Sequence, residues 1–161
     1  MHGKTIQAIA LSQLLNEYYN VSKVLIICPT SLKYQWQTEI EKFTNASSRV
    51  IEGNYLKRLD IYQEEKPPLY SIISYNMAVS DVAMINDFQP DLIVLDEGQR
   101  IKNYQTKVAV GIKKLQSQYS LVLTGTPLEN KLQELYSLLQ FIDPVKTGTL
   151  YQLLSKHEVR D

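Results

Sequence analysis

Three short stretches of the chain carry the side chains best suited to phosphate chemistry. The first is Gly3-Lys4-Thr5, which opens directly into a helical period. A glycine lets backbone N–H groups approach phosphate oxygens, a lysine reaches the β- and γ-phosphates, and a hydroxyl at the helix N-terminus binds Mg²⁺. Taken alone, the tripeptide is equally an ordinary helix start. The second stretch is Leu92-Ile93-Val94-Leu95-Asp96-Glu97, an apolar run that ends in two adjacent carboxylates. The first acid of such a pair holds Mg²⁺, directly or through water, and the second orients and deprotonates an attacking water. Its plainer reading is a solvated loop, or an acidic start to a helix. The third is Leu123-Thr124-Gly125-Thr126-Pro127-Leu128-Glu129-Asn130, where two hydroxyls flank a glycine and Pro127 stiffens the turn. A strand-to-helix loop with capping residues has the same composition. Order separates these readings: Gly-Lys-Thr then helix, strand then Asp-Glu, strand then Thr-Gly-Thr-Pro. Chance seldom produces all three in register with alternating strands.

Positioning those residues falls to alternating short apolar runs and longer helical periods. Strands are expected at 23–28, 48–52, 69–74, 91–96 and 119–124. They are β-branched and nearly continuous in apolar character, which suits a parallel sheet covered on both faces. Helices are expected at 5–18, with Ile6, Ile9, Ala10 and Leu14 on the inner stripe, and at 31–43, capped by Ser31 and packed through Leu32, Trp36, Ile40 and Phe43. Further helical periods cover 55–62, 79–88, 105–115 and 131–141, and residues 147–161 form a weakly patterned tail. The alternation predicts an α/β layered fold in one domain, 1–161.

At 161 residues the chain buries a sizeable core, and 44% apolar with 21% charged residues is ordinary for a globular protein. Lys and Arg total 17 and Asp and Glu total 17, so any contact with a polyanion comes from a local patch rather than from net charge. Lys57-Arg58 and Lys113-Lys114 read as solvated helix faces. The single cysteine, Cys28, ends an apolar run and reads as a small buried hydrophobe. His2 and His157 have no metal-ligand companions at suitable spacing. No apolar run approaches the ~18 residues of a membrane span, and no signal peptide is expected.

Five segments together resemble the Swi/Snf-type ATPases of helicase superfamily two. They are residues 3–9, 25–43, 73–75, 96–103 and 123–144, matching motifs I, Ia, Ib, II and III, and they span nearly the whole chain. The compact spacing is similar to that of bacterial and archaeal members. The resemblance implies a three-layer RecA-like lobe of the P-loop NTPase type, with a mainly parallel sheet whose first strand is missing here. It implies ATP and Mg²⁺ as cofactors. Gly3, Lys4 and Thr5 would bind nucleotide, Thr5 and Asp96 would hold Mg²⁺, and Glu97 would be the hydrolytic base. Gln99 would couple the nucleotide to a second RecA-like lobe of the same parent chain. Thr124, Gly125 and Thr126 would link that box to the DNA side, and Pro29, Thr30, Ser31, Ser74 and Tyr75 would meet DNA phosphates. Trp36 lies in motif Ia with the helical phase of a packing residue, while Arg100, Lys102 and Asn103 look family-typical.

The implied activity is an ATP-dependent double-stranded-DNA translocase that remodels protein–DNA complexes, acting on an unknown protein on DNA and away from membranes. It would work in the nucleoid-bearing cytoplasm of a prokaryote or in a eukaryotic nucleus. A non-catalytic DNA- or protein-binding module and a strand-separating helicase stand as alternatives. Met1-His2 occupies the place of the first half of the phosphate loop, so the expectation is a fragment inactive by itself. With a central first strand missing, the remaining five strands are expected either to close the gap or to leave two backbone edges unpaired, in a lobe less stable than a complete one and open to association through an exposed edge.

Overall fold

The five apolar runs become five strands, all parallel. The computed structural model describes residues 3–98 and 106–124. The strands are β1 (Val24–Cys28), β2 (Ser48–Val50), β3 (Tyr70–Ser74), β4 (Leu92–Leu95) and β5 (Tyr119–Val122), in the order β2-β3-β1-β4-β5. Every expected strand is present, shortened by one or two residues where a proline, an aspartate or a polar turn stops the ladder. The pairing is unbroken: Val24 to Cys28 lie beside Tyr70 to Ser74, Val24 to Ile27 beside Leu92 to Leu95, and Leu92 to Leu95 beside Tyr119 to Val122. The described strands close on one another, with β2 and β5 at the two edges.

Alternation along each strand feeds two cores, the arrangement that a parallel sheet covered on both faces requires. Leu25, Ile27, Ile73, Ile93, Leu95 and Val122 face α3 (Tyr55–Tyr62), α4 (Tyr75–Ser80), α5 (Val82–Phe88) and α6 (Lys107–Lys113). Val24, Ile26, Cys28, Ile72, Val94 and Leu121 face α1 (Gly3–Tyr18) and α2 (Lys33–Phe43).

Three local expectations are corrected. The inner stripe of α1 is Thr5, Ala8, Ile9, Ser12 and Leu15, whereas Ile6, Ala10 and Leu14 are exposed. A polar group beneath the helix sets that phase. The buried Tyr70 hydroxyl lies 2.5 Å from Ser12 Oγ and accepts from Gln13 Nε2 at 2.8 Å, while Ser12 Oγ donates to the Ile9 carbonyl at 2.7 Å. A burial pattern read from hydrophobicity alone misses such a stripe.

Ser31 does not cap α2. It lies in a 3-10 turn, Thr30–Leu32, closed by the Leu32 N–H on the Pro29 carbonyl at 2.9 Å, and Leu32 takes the cap position without a side-chain bond. The expected helix over 79–88 is instead α4 and α5, broken at Asp81. That carboxylate, 1% exposed, accepts both Arg58 Nε and Arg58 Nη2 at 2.8 Å and the Tyr62 hydroxyl at 3.1 Å. A buried carboxylate is tolerated when paired and fully hydrogen-bonded, and this one ties α3 to the break between α4 and α5. The expected helix over 131–141 and the tail 147–161 lie outside the described residues.

Candidate phosphate and metal site at the carboxyl edge of the sheet

A parallel ladder gathers the C-terminal ends of its strands at one edge, where open α/β sheets bind ligands. The register levels Cys28 with Ser74, and Asp96 and Leu123 follow the last paired residues of β4 and β5. The start of α1 reaches the same edge. Lys4 Nζ donates to the carbonyl of Thr124, joining residues at opposite ends of the described chain. Thr5 is buried at 3% exposure, and Thr124 is buried beside the lysine. Gly3, Lys4, Thr5, Asp96 and Thr124, read separately from the sequence, therefore belong to one end of one sheet.

Asp96 is held at three atoms. Its N–H donates to the Ile27 carbonyl at 2.8 Å, as an extension of the β1–β4 ladder. Its Oδ2 accepts from Trp36 Nε1 at 2.8 Å, and its carbonyl accepts from the Tyr75 hydroxyl at 2.5 Å. Trp36 is fully buried on α2, so its packing phase is correct, and the indole N–H has a second task that the helical phase did not show. Glu97 leaves the strand direction with φ 55° and is half-buried. The next residue returns at once, Gly98 N–H donating to the Leu123 carbonyl at 2.8 Å.

The remaining candidates divide by exposure. Thr30 and Ser31 are exposed at the end of β1, behind the buried Pro29. Ser74 and Tyr75 are buried: Ser74 caps α4 by accepting from Met77 N–H at 3.4 Å, and Tyr75 turns inward to Asp96. Beside them Lys33, 7% exposed, donates to Glu52 Oε2 at 3.1 Å, and the Tyr34 hydroxyl donates to Glu52 Oε1. This clasp from the start of α2 to the end of β2 had no sequence signal, because it joins residues about twenty positions apart. Burial, reinforced by the charge of Asp96 and opposed by Lys33, pushes the Cys28 thiol up to about 12. A thiol so held is not a nucleophile.

No group of three or more His, Cys, Asp or Glu suited to a metal occurs among the described residues. One carboxylate with a nearby hydroxyl is still the donor set that Mg²⁺ accepts, since that ion keeps waters and takes phosphate oxygens rather than a full protein cage. Asp96 and Thr5 supply groups of those two types. Gln99, Gly125 and Thr126, with Arg100, Lys102 and Asn103, lie outside the described residues.

The profile of the SNF2-related domain matches residues 2–158. The chain is 34% identical over 160 residues to the TATA-binding protein-associated factor MOT1 of Saccharomyces cerevisiae, covering 91% of this chain and 9% of that protein. It is 32% identical over 154 residues to the chromatin-remodeling ATPase INO80 of Lodderomyces elongisporus, covering 88% and 10%. It thus spans about a tenth of the length of these relatives. Among solved structures, the Sulfolobus solfataricus SWI2/SNF2 ATPase core in complex with dsDNA superposes with a TM-score of 0.74 at 33% identity, over 88% of this chain and 29% of that one.

Proposed function

The chain belongs to the SNF2-related domain family, and we propose that it is the ATP-binding lobe of a double-stranded-DNA translocase that remodels protein–DNA complexes. The observation that carries this reading is the convergence of Lys4, Asp96 and Thr124 at the carboxyl edge of the sheet. The relatives named for chromatin remodelling and for a TATA-binding-protein complex, and the archaeal core solved with duplex DNA, support the substrate.

Lys4 sits against a strand-end carbonyl, from which its ammonium moves to β- and γ-phosphate oxygens when ATP enters. Asp96 and Thr5 would hold Mg²⁺, which when bound neutralises phosphate charge. Glu97, turned out of the strand and half-buried, orients a water and takes its proton. Gln99 passes the state of the nucleotide to a second RecA-like lobe, and Thr124, Gly125 and Thr126 relay it toward DNA. Of the residues assigned to DNA, Thr30 and Ser31 face solvent and suit a phosphate directly. Pro29, Ser74 and Tyr75 are buried and offer no exposed side chain to a phosphate. The protein moved along DNA is a further partner, and the work belongs wherever the chromosome lies. No helix among the described residues is long and apolar enough to cross a membrane.

Nucleotide titration tests the site. A charge-assisted bond to phosphate is worth about 1.5–3 kcal/mol, so Lys4→Ala weakens Mg²⁺·ATP binding about ten- to hundredfold at 1.4 kcal/mol per decade. In the longer parent chain, Glu97→Gln keeps binding and loses duplex-stimulated phosphate release. Equal affinity of the Lys4→Ala variant and the unaltered chain sinks the reading.

A further inference from the structure

Asp96 receives two aromatic hydrogen bonds that neither strand β4 nor the phosphate loop supplies. Trp36 Nε1 donates to the carboxylate from α2, and the Tyr75 hydroxyl donates to the backbone carbonyl from the start of α4. The two helices lie on opposite faces of the sheet, so the residue is gripped from both sides. All three side chains are buried: Trp36 is fully covered, Tyr75 is 7% exposed and Asp96 8%. Ordinary core packing does not call for this. An aromatic hydrocarbon side chain fills a core without a donor, and a buried N–H or O–H without a partner is costly. Fixing Oδ2 with a rigid indole also fixes the plane of the carboxylate, and with it the direction of the other oxygen.

We propose that Trp36 and Tyr75 are positioning residues which set the Asp96 carboxylate for Mg²⁺·nucleotide. The inference rests on the reading of Asp96 as the metal-holding acid. Neither aromatic touches nucleotide; each acts through Asp96. Hydrogen bonds to a metal-ligating carboxylate orient it and tune its basicity, and removing such a partner commonly costs 10–100-fold in metal affinity. Tyr75 directly follows Ser74 at the end of β3, and Trp36 stands near the start of α2, the helix that follows β1. The metal ligand is therefore joined to the loops beyond β1 and β3.

The chain has one tryptophan, so its indole N–H gives a single resonance in a ¹H–¹⁵N spectrum. That resonance is expected downfield of a free indole, moving upfield in Asp96→Asn and shifting again when Mg²⁺·ATP is added to the unaltered chain. Tyr75→Phe keeps the ring and removes the donor, while Trp36→Phe removes the donor and also shrinks a fully buried side chain. Each is expected to raise the Mg²⁺ concentration for half-maximal nucleotide binding, by about tenfold for Trp36→Phe, with Mg²⁺-free nucleotide affinity unchanged. Should Trp36→Phe not fold, Tyr75→Phe and the indole resonance decide. An unchanged Mg²⁺ requirement in the folded variants, or an indole resonance indifferent to Asp96→Asn, overturns the inference and leaves the site reading standing. Nucleotide binding that ignores Mg²⁺ in the unaltered chain overturns both.

Discussion

Three non-glycine residues among those described have positive φ: Asn20 at 59°, Gln89 at 58° and Glu97 at 55°. Asn20 follows the end of α1, and asparagine tolerates this region. Gln89 ends α5 in the left-handed turn with which helices often finish, its N–H on the Ile85 carbonyl at 3.0 Å. Glu97 has no such excuse, for it lies just past a strand, between β4 and a 3-10 turn that opens at Gly98, and ends no helix. A side chain in this conformation costs about 1 kcal/mol, and such strain gathers where function fixes the backbone. Glu97→Gly and Glu97→Ala both delete the carboxylate, but only glycine relieves the strain. The glycine variant is expected to be more stable than the alanine variant by about 1 kcal/mol, or about 2–4 °C in melting temperature for a chain of this size. Equal melting temperatures would remove strain as the explanation. Placed in the longer parent chain, both variants should fail to hydrolyse ATP. The sequence identified Glu97 as the candidate base, yet not its backbone state, because glutamate carries no preference for the left-handed region that a reader could use.

Helix packing was read less completely than residue type. Gly111 of α6 lies against Val79 of α4, and a Cβ built on it would stand 2.6 Å from Val79 Cγ1 and 2.9 Å from Cγ2. Those distances are inside contact range, so Gly111→Ala forces the two helices apart. The overpacking cost of about 1–3 kcal/mol exceeds the roughly 1 kcal/mol that alanine gains in helix propensity. The expected net loss is about 1 kcal/mol in denaturant unfolding. Adding Val79→Ala removes both clashing methyls, so the double variant should be less destabilised than the sum of the two single changes. Strict additivity would place the helices further apart than described. Strands, by contrast, were legible, four of them as the continuous apolar runs that a doubly covered parallel sheet needs and β2, half-buried Ser-Arg-Val at an edge, as a weaker signal. The misread helix features share a cause. The phase of α1 follows the Tyr70 hydroxyl, the break at Asp81 follows Arg58 and Tyr62, and the clasp on Glu52 comes from Lys33 and Tyr34. Each is a polar partner brought close by the fold, and hydrophobic periodicity is silent about polar partners. The same silence hid the bonds from Trp36 and Tyr75 to Asp96.

At the scale of the molecule, the site and the core are one structure, and Cys28 reports on both. It ends the central strand, is fully buried, and is the only cysteine in the chain. With its thiol pushed from 9.0 to about 12, the native chain offers almost no thiolate at pH 8 and no path to it. The sign of the linkage follows: the unfolded thiol ionises near 9 while the folded one keeps its proton. Cys28 therefore costs no stability below about pH 9, and stability falls as pH rises from there toward 12. Alkylation at pH 8 should thus occur only through unfolding. Its rate should rise with urea with the slope of equilibrium unfolding, since β1 is covered on both faces and paired on both edges. Mg²⁺·ATP binds only where Lys4, Thr5 and Asp96 are assembled. At a concentration about 100 times its dissociation constant, it stabilises by about 2.7 kcal/mol and should slow labelling about a hundredfold. Labelling that is fast and indifferent to urea would mean that the carboxyl edge opens by itself. Labelling that tracks unfolding but ignores nucleotide would mean that the core is as described and binds no ATP.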